Sequence, residues 1–315
     1  MIRKSYIWTF LLAMTLALVM SCGLKKDIVQ KNAAPVLEDA VLWEINHPNL
    51  QETSYLLGTI HYVPNEYYLW PDIFEDKFAS CSQLALEIDL KEMQGGNMLG
   101  LLDKFIMKDD LSISDILSSE DYRTVSDFFN KMGLPLILFE RLKPFFLYIL
   151  TMADFNNMDS GNMKSYELEL LDKSKKSNIP VVGLETIDYQ ISIFDSIPYK
   201  TQADMLVNAI KDKIELDGEV DEDLNTLFQA YHRQDLNAIY EISSSTDSTM
   251  MEYNELLIDN RNRDWISKIK SLIADQPTFI AVGAGHLAGP AGVIQLMRNE
   301  GYILKPVITN NHGSH

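Results

Sequence analysis

The chain has 315 residues, 45 of them Asp or Glu against 27 Lys or Arg, and a formal charge of −18. That length suits one large domain, or two intimate ones, with a sizeable core. The acidic excess argues against a nucleic-acid partner and against a basic membrane-surface patch, and it selects no particular substrate.

Arg3 and Lys4 precede an apolar run from Tyr6 to Met20, followed by Ser21-Cys22-Gly23. The run is too short and one-sided for a membrane span of about 20 residues, so residues 1–21 read as a secretory signal. Val19-Met20-Ser21-Cys22 resembles a bacterial lipobox, in which Cys22 is lipidated and begins the mature chain. Residues 22–39 then form a tether, and the expected location is the bacterial cell envelope, periplasm-facing or at the outer membrane. With Cys22 acylated, Cys81 is the other cysteine of the mature chain, no intramolecular disulfide is expected, and Cys81 reads as a small buried hydrophobe.

The fold is expected over residues 40–308, with 309–315 as a polar tail. Ala40–Ile45 and Ser54–His61 read as a hairpin around His47-Pro48-Asn49. Pro71 starts a helix through Phe78. Gln83–Asp89 is a strand with Leu84, Leu86 and Ile88 on one face and Ala85, Glu87 and Asp89 on the other. From about residue 98 the period becomes helical. Ser118 with Asp121 signals one helix, Leu136–Ala153 a second that contains Pro144, and 165–177 a third. Ile179–Glu185 is a short buried strand. Leu224, Leu227, Phe228 and Tyr231 share one helical stripe, and a long helix covers roughly 249–274. Thr278–Val282 is a strand, Gly289-Pro290 opens another helix, and Tyr302–Ile308 closes as a strand. The expected class is α/β (α+β), a central mixed sheet flanked by helices, with a large helical insertion between terminal strand regions.

Two tetrapeptides stand out, Gly58-Thr59-Ile60-His61 and Gly283-Ala284-Gly285-His286. Each follows an apolar strand, so each delivers an imidazole to a sheet rim where glycine permits close backbone approach. Two such deliveries suggest a composite site with metal as its occupant. Glu87 supplies the third donor, because it ends an apolar strand that is expected to neighbour 54–61, and buried carboxylates are rare unless paired or metal-bound.

The run Tyr55–His61, the strand Ala85–Asp89, Gly183-Leu184-Glu185-Thr186, Arg261-Asn262-Arg263 and Val282–Pro290, with Gly292 and Gly301-Tyr302, resemble the TraB/GumN family in content and order. The resemblance covers about 40–308. It implies kinship with Tiki metalloproteases and, more distantly, with erythromycin esterases and ChaN haem-binding lipoproteins. It also implies that His61, His286 and Glu87 bind manganese or cobalt (zinc being the third option), with Glu185, Arg261 and Asn262 as further site residues. Around Ser165-Tyr166-Glu167 the chain departs from the family's Gly-aliphatic-acid pattern, so Glu167 is not counted among them.

A metal-activated water would attack a carbonyl, with Glu87 as ligand or general base and Arg261 clamping the substrate. The helix opened by Gly289-Pro290 would turn its positive end to the oxyanion. The leading expectation is a lipid-anchored metal-dependent hydrolase of peptides or other small molecules. The alternatives are a metal-independent His–Glu esterase and a non-enzymatic haem- or ligand-binding lipoprotein, for which Tyr62, Tyr67 and Tyr68 are the axial candidates. The sequence sets no oligomeric state.

Overall fold

The structure, a computed structural model, describes residues 36–89, 103–152, 162–216, 222–245 and 253–309. The signal segment, Cys22 and most of the tether lie outside these, as does the tail beyond Thr309. Among the described residues no helix is long and apolar enough to cross a membrane.

The hairpin expected first is present: β1 (Leu42–Asn46) pairs antiparallel with β2 (Ser54–Thr59) around a turn in which Leu50 N–H donates to the His47 carbonyl. β3 (Val63–Pro64) follows, then α1 (Asp72–Ala79), which Pro71 caps, and β4 (Gln83–Ile88). The helical insertion includes α2 (Ile113–Ile116) and α3 (Ser119–Lys131), whose Ser118 cap accepts from Asp121 N–H as the sequence signals. The helix expected over 136–153 divides. A 3-10 turn covers Leu136–Leu138 and α4 runs only from Pro144 to Met152. Proline has no N–H to donate and clashes with the preceding turn, so it takes the first helical position.

β5 (Met163–Lys164) pairs with β3, and it is followed by α5 (Tyr166–Ser177), β6 (Val181–Glu185), α6 (Ile187–Phe194) and α7 (Tyr199–Leu216). α8 (Glu222–His232) and α9 (Leu236–Ser245) form a pair. A π-helical turn at Glu255–Asp259 runs into α10 (Asn260–Asp275). The chain closes with β7 (Thr278–Gly283), α11 (Val293–Asn299) and β8 (Ile303–Pro306). Gly289-Pro290 does not open α11. Gly289 adopts φ 88°, its carbonyl accepts from Gly292 N–H, and Gly292 is the cap. That conformation favours glycine and turns the chain before a helix can start.

Six strands make one mixed sheet in the order β6-β4-β7-β2-β1-β8. β6, β4, β7 and β2 are mutually parallel, β1 runs antiparallel to β2 at one side, and β8 pairs antiparallel with β1. β4 is therefore not beside β2, as its sequence suggested, because β7 lies between them. Two cores result. One packs Trp43, Phe74, Phe78 and Phe279 against the sheet. The other fills the helical insertion with Val125, Phe129, Phe145, Leu206 and Leu257, where the Phe145 and Phe194 rings stack at 3.6 Å. Lys143 is 2% exposed in this second core and forms an ion pair with Asp195.

Candidate active site

Parallel strands all point their carboxyl ends to one edge, and ligands in such sheets bind in the crevice there. In this chain that edge collects the chemistry. β2 ends at Thr59 two residues before His61, and β7 ends at Gly283 three residues before His286. Glu87 sits near the end of β4 and Glu185 is the last residue of β6. The strand register sets Gly58 beside Val282 and Thr59 beside Gly283, so the two Gly-x-x-His motifs leave the sheet as neighbours.

Close approach of the motifs depends on Gly58. A Cβ there would stand 3.0 Å from the Ala284 Cα and 3.0 Å from Leu287 Cδ2. The Gly58 carbonyl accepts from the buried Tyr231 hydroxyl at 2.8 Å and its N–H donates to Val41, so the segment cannot simply slide away. Gly58→Ala is expected to cost about 1–3 kcal/mol through overpacking, measured by urea unfolding.

Beneath the motifs lies a buried polar cluster centred on Arg261, which is 1% exposed. Arg261 Nη2 donates to Glu87 Oε2 at 2.6 Å and to Glu185 Oε1 at 2.7 Å, and Nε donates to the two Glu185 oxygens at 3.1 and 3.2 Å. Nη1 donates to the Leu257 carbonyl at 3.1 Å and faces His286 Nε2 at 3.2 Å. Trp265 completes the walls: its indole N–H donates to Glu185 Oε2 at 2.9 Å, and its ring lies 4.5 Å from that of His286. The second oxygen of Glu87 accepts the Gly283 N–H at 2.8 Å, which ties β4 to the turn carrying His286.

Asn262 orients His286. Its Oδ1 lies 2.6 Å from His286 Nδ1, while its Nδ2 donates to the carbonyls of His286 and Ala291. An amide oxygen can only accept, so Nδ1 carries the proton and Nε2 presents its lone pair to Arg261. Burial pushes His286 down to about 3, Arg261 adding to the effect and Glu87 opposing it. For Glu87, burial acts to raise the carboxyl, but Arg261 and the nearby imidazoles hold it down at about 2. Glu185 goes the other way, because burial outweighs the pull of Arg261. The two carboxylates share one guanidinium, and Glu185 is the one that holds its charge less firmly.

Nearer the solvent is a second pair. His61 Nδ1 lies 3.0 Å from Glu167 Oε1, and the two side chains are 32% and 21% exposed. Thr59 and Ser165 hydroxyls donate to the same carboxylate at 3.2 and 3.0 Å. Glu167 stands in the first turn of α5, where the helix end favours negative charge. Burial lowers His61, but Glu167, by charge and hydrogen bond, and then Glu87 raise it to about 9. Glu167 is lowered in turn, since His61 outweighs the effect of burial.

The structure thus brings His61, Glu87, Glu185, Arg261, Asn262 and His286 to one sheet edge. It also corrects several expectations. Glu87 is buried as expected, 9% exposed, but its strand lies between β6 and β7 and not beside the 54–61 strand. Arg261, expected to clamp substrate, has a protein acceptor for every N–H of its guanidinium. Glu167, set aside for its departure from the family pattern, is the partner of His61. The signal was in the sequence: Ser165 caps α5 by accepting from Leu168 N–H, which fixes Glu167 in the first turn. Nothing in the sequence, however, showed that this helix end abuts the 54–61 strand. Of the haem-ligand candidates, Tyr67 donates to Asn225 and stacks on Phe228, so it serves packing.

The donor types suit a first-row divalent ion, but the arrangement does not fit one. Among the described residues no three His, Cys, Asp or Glu side chains are grouped so as to hold a metal ion. Both Glu87 oxygens and His286 Nε2 face other partners, Arg261 foremost.

A mixed sheet with paired Gly-x-x-His turns at its parallel carboxyl edge, closed below by an arginine-bound pair of glutamates, defines the class of this protein. The chain belongs to the TraB/PrgY/gumN family, whose profile matches residues 41–306. It is also similar to a protein of Treponema pallidum (strain Nichols) described as uncharacterized, at 22% identity over 292 residues, 86% of this chain and 84% of that protein. No solved structure matches the chain.

Proposed function

We propose that this chain is a hydrolase that activates water with the His61–Glu167 pair and attacks the carbonyl of a peptide or ester. The observation that carries this reading is the 3.0 Å contact between His61 Nδ1 and Glu167 Oε1 at the carboxyl edge of the parallel strands. With Nδ1–H donated to Glu167, Nε2 is the nitrogen left to take a proton from water. Glu167 then stabilises the imidazolium that forms, and the proton passes to the leaving amine or alcohol. The buried Arg261 cluster keeps the two motif turns at fixed separation and supplies no group to the substrate.

The test is a screen of peptide and ester substrates with wild type and His61→Ala side by side. Loss of an acid–base group is expected to lower kcat/KM by about 10²-fold or more, with the thermal transition retained. Equal activity in the two proteins would sink the assignment. The Arg3–Cys22 segment supports envelope attachment through lipid on Cys22. Cys22→Ser is expected to release the protein from the membrane fraction, and mass spectrometry of the mature N-terminus checks the acyl group directly.

A further inference from the structure

We infer that Arg261 is the resident cation of this site, so that its guanidinium and a divalent metal are mutually exclusive occupants of the Glu87–His286 pair. The second shell is that of a metal site. Metal-ligating histidines have the other ring nitrogen held by an oxygen acceptor, which fixes the tautomer. Asn262 Oδ1 does this for His286 Nδ1 at 2.6 Å, leaving Nε2 as a lone-pair donor. Glu87 Oε1 lies 3.8 Å from that Nε2, and the Gly283 N–H holds the same oxygen in place. Two ligands at about 2.0–2.2 Å from one ion would stand slightly closer together than this. The pair is therefore slightly wider than a tetrahedral shell would hold it.

What stands between the two donors and a metal is Arg261. Its Nη1 meets His286 Nε2 at 3.2 Å and its Nη2 meets Glu87 Oε2 at 2.6 Å, so one planar cation engages both groups. A guanidinium cannot be deprotonated in a protein and cannot yield by losing its charge. Nor does it have slack to move, because Leu257 O and Glu185 hold its remaining N–H groups. Metal entry would place a second positive charge against a buried one and strip both donors of their hydrogen bonds. Removing Arg261, in contrast, leaves the His286 imidazole and two buried carboxylates, Glu87 and Glu185, without the guanidinium they share.

The test reads metal and not turnover, so it is independent of the hydrolase proposal. The full-length chain is purified in detergent as wild type, Arg261→Met, Arg261→Lys and Glu87→Gln. Each is reconstituted with manganese, cobalt or zinc, then assayed by elemental analysis and cobalt absorption. The wild type is expected to retain no more metal than Glu87→Gln and to show no metal-dependent rise in Tm. Arg261→Met is expected to bind cobalt at least about tenfold more tightly than wild type. Adding His286→Ala to that variant is expected to remove the gain, and Arg261→Lys, which keeps a cation, is expected not to show it. Stoichiometric metal in the wild type that Glu87→Gln or His286→Ala abolishes would overturn the inference, as would a folded Arg261→Met that gains no affinity. Should Arg261→Met fail to fold even with metal present, the wild-type comparison with Glu87→Gln decides alone.

Discussion

Arg261→Ala is expected to destabilise the fold by about 3–5 kcal/mol, the usual consequence of removing one partner from a buried ion pair. Glu87 and Glu185, at 10% and 4% side-chain exposure, would be left facing each other without their shared guanidinium. The Leu257 carbonyl and His286 Nε2 would lose a donor as well. For a domain of this size the loss corresponds to a fall in Tm of about 10 °C. The two carboxylates should not behave alike. Glu87 is held well below the usual carboxylate range, so it is charged and committed to Arg261, whereas burial already disfavours ionised Glu185. Glu185→Gln is therefore expected to cost much less than Glu87→Gln, and both are expected to cost less than Arg261→Ala. Urea unfolding of the three variants gives the order directly. An Arg261→Ala loss below about 1 kcal/mol would mean that the cluster contributes like a surface pair.

The second large effect is on pH dependence. His61 is raised from 6.5 to about 9 by Glu167, so at neutral pH it is an imidazolium and cannot accept a proton. If it is the base in hydrolysis, kcat/KM rises with pH and levels off only above about 9. Glu167→Gln removes the charge that raises His61, so the half-maximal pH is expected to move acidward towards the ordinary histidine value. The plateau itself is expected to fall on the order of 10²-fold, since the ring loses the partner that sets its tautomer. A pH–rate profile of each protein separates the two effects, and an unmoved limb in Glu167→Gln would exclude His61 as the titrating base.

The same pair sets a stability window. His61 gains a proton more readily in the folded state, so its contribution is complete below pH 6.5 and fades as pH rises through about 9. Glu167 is lowered on folding, so its contribution is present above its unfolded value of 4.5 and is lost as pH falls. Together they favour the range between about 4.5 and 6.5. Glu167→Gln is expected to flatten the decline in Tm on the alkaline side, which a pH series of thermal melts can follow.

Much of the fold could be read from local rules. The β1–β2 hairpin, the Pro71 and Ser118 helix starts, and the stripe of Leu227, Phe228 and Tyr231 follow from period and capping, which act over a few residues. Helix boundaries near proline and glycine failed where one backbone constraint overrode the apolar pattern, at Pro144 and at Gly289. The order of strands was not legible at all. Glu87 was expected beside β2 because both strands are apolar and near in sequence, yet β7, which lies almost two hundred residues further on, inserts between them.

By itself, then, the sequence determined which side chains reach the sheet rim, since two apolar strands ending in Gly-x-x-His and one ending in Glu87 admit little else. Only the tertiary structure decided what those side chains meet there. Arg261 comes from a helix more than 170 residues after Glu87, and Glu167 from a helix end more than a hundred residues after His61. A charged residue's role depends on which opposite charge meets it and how much water is excluded, and both are set by contacts distant in sequence. Those contacts set Glu87 and His286, two of the three expected metal ligands, in an arginine-bound buried cluster, and set the third, His61, against Glu167 nearer the solvent.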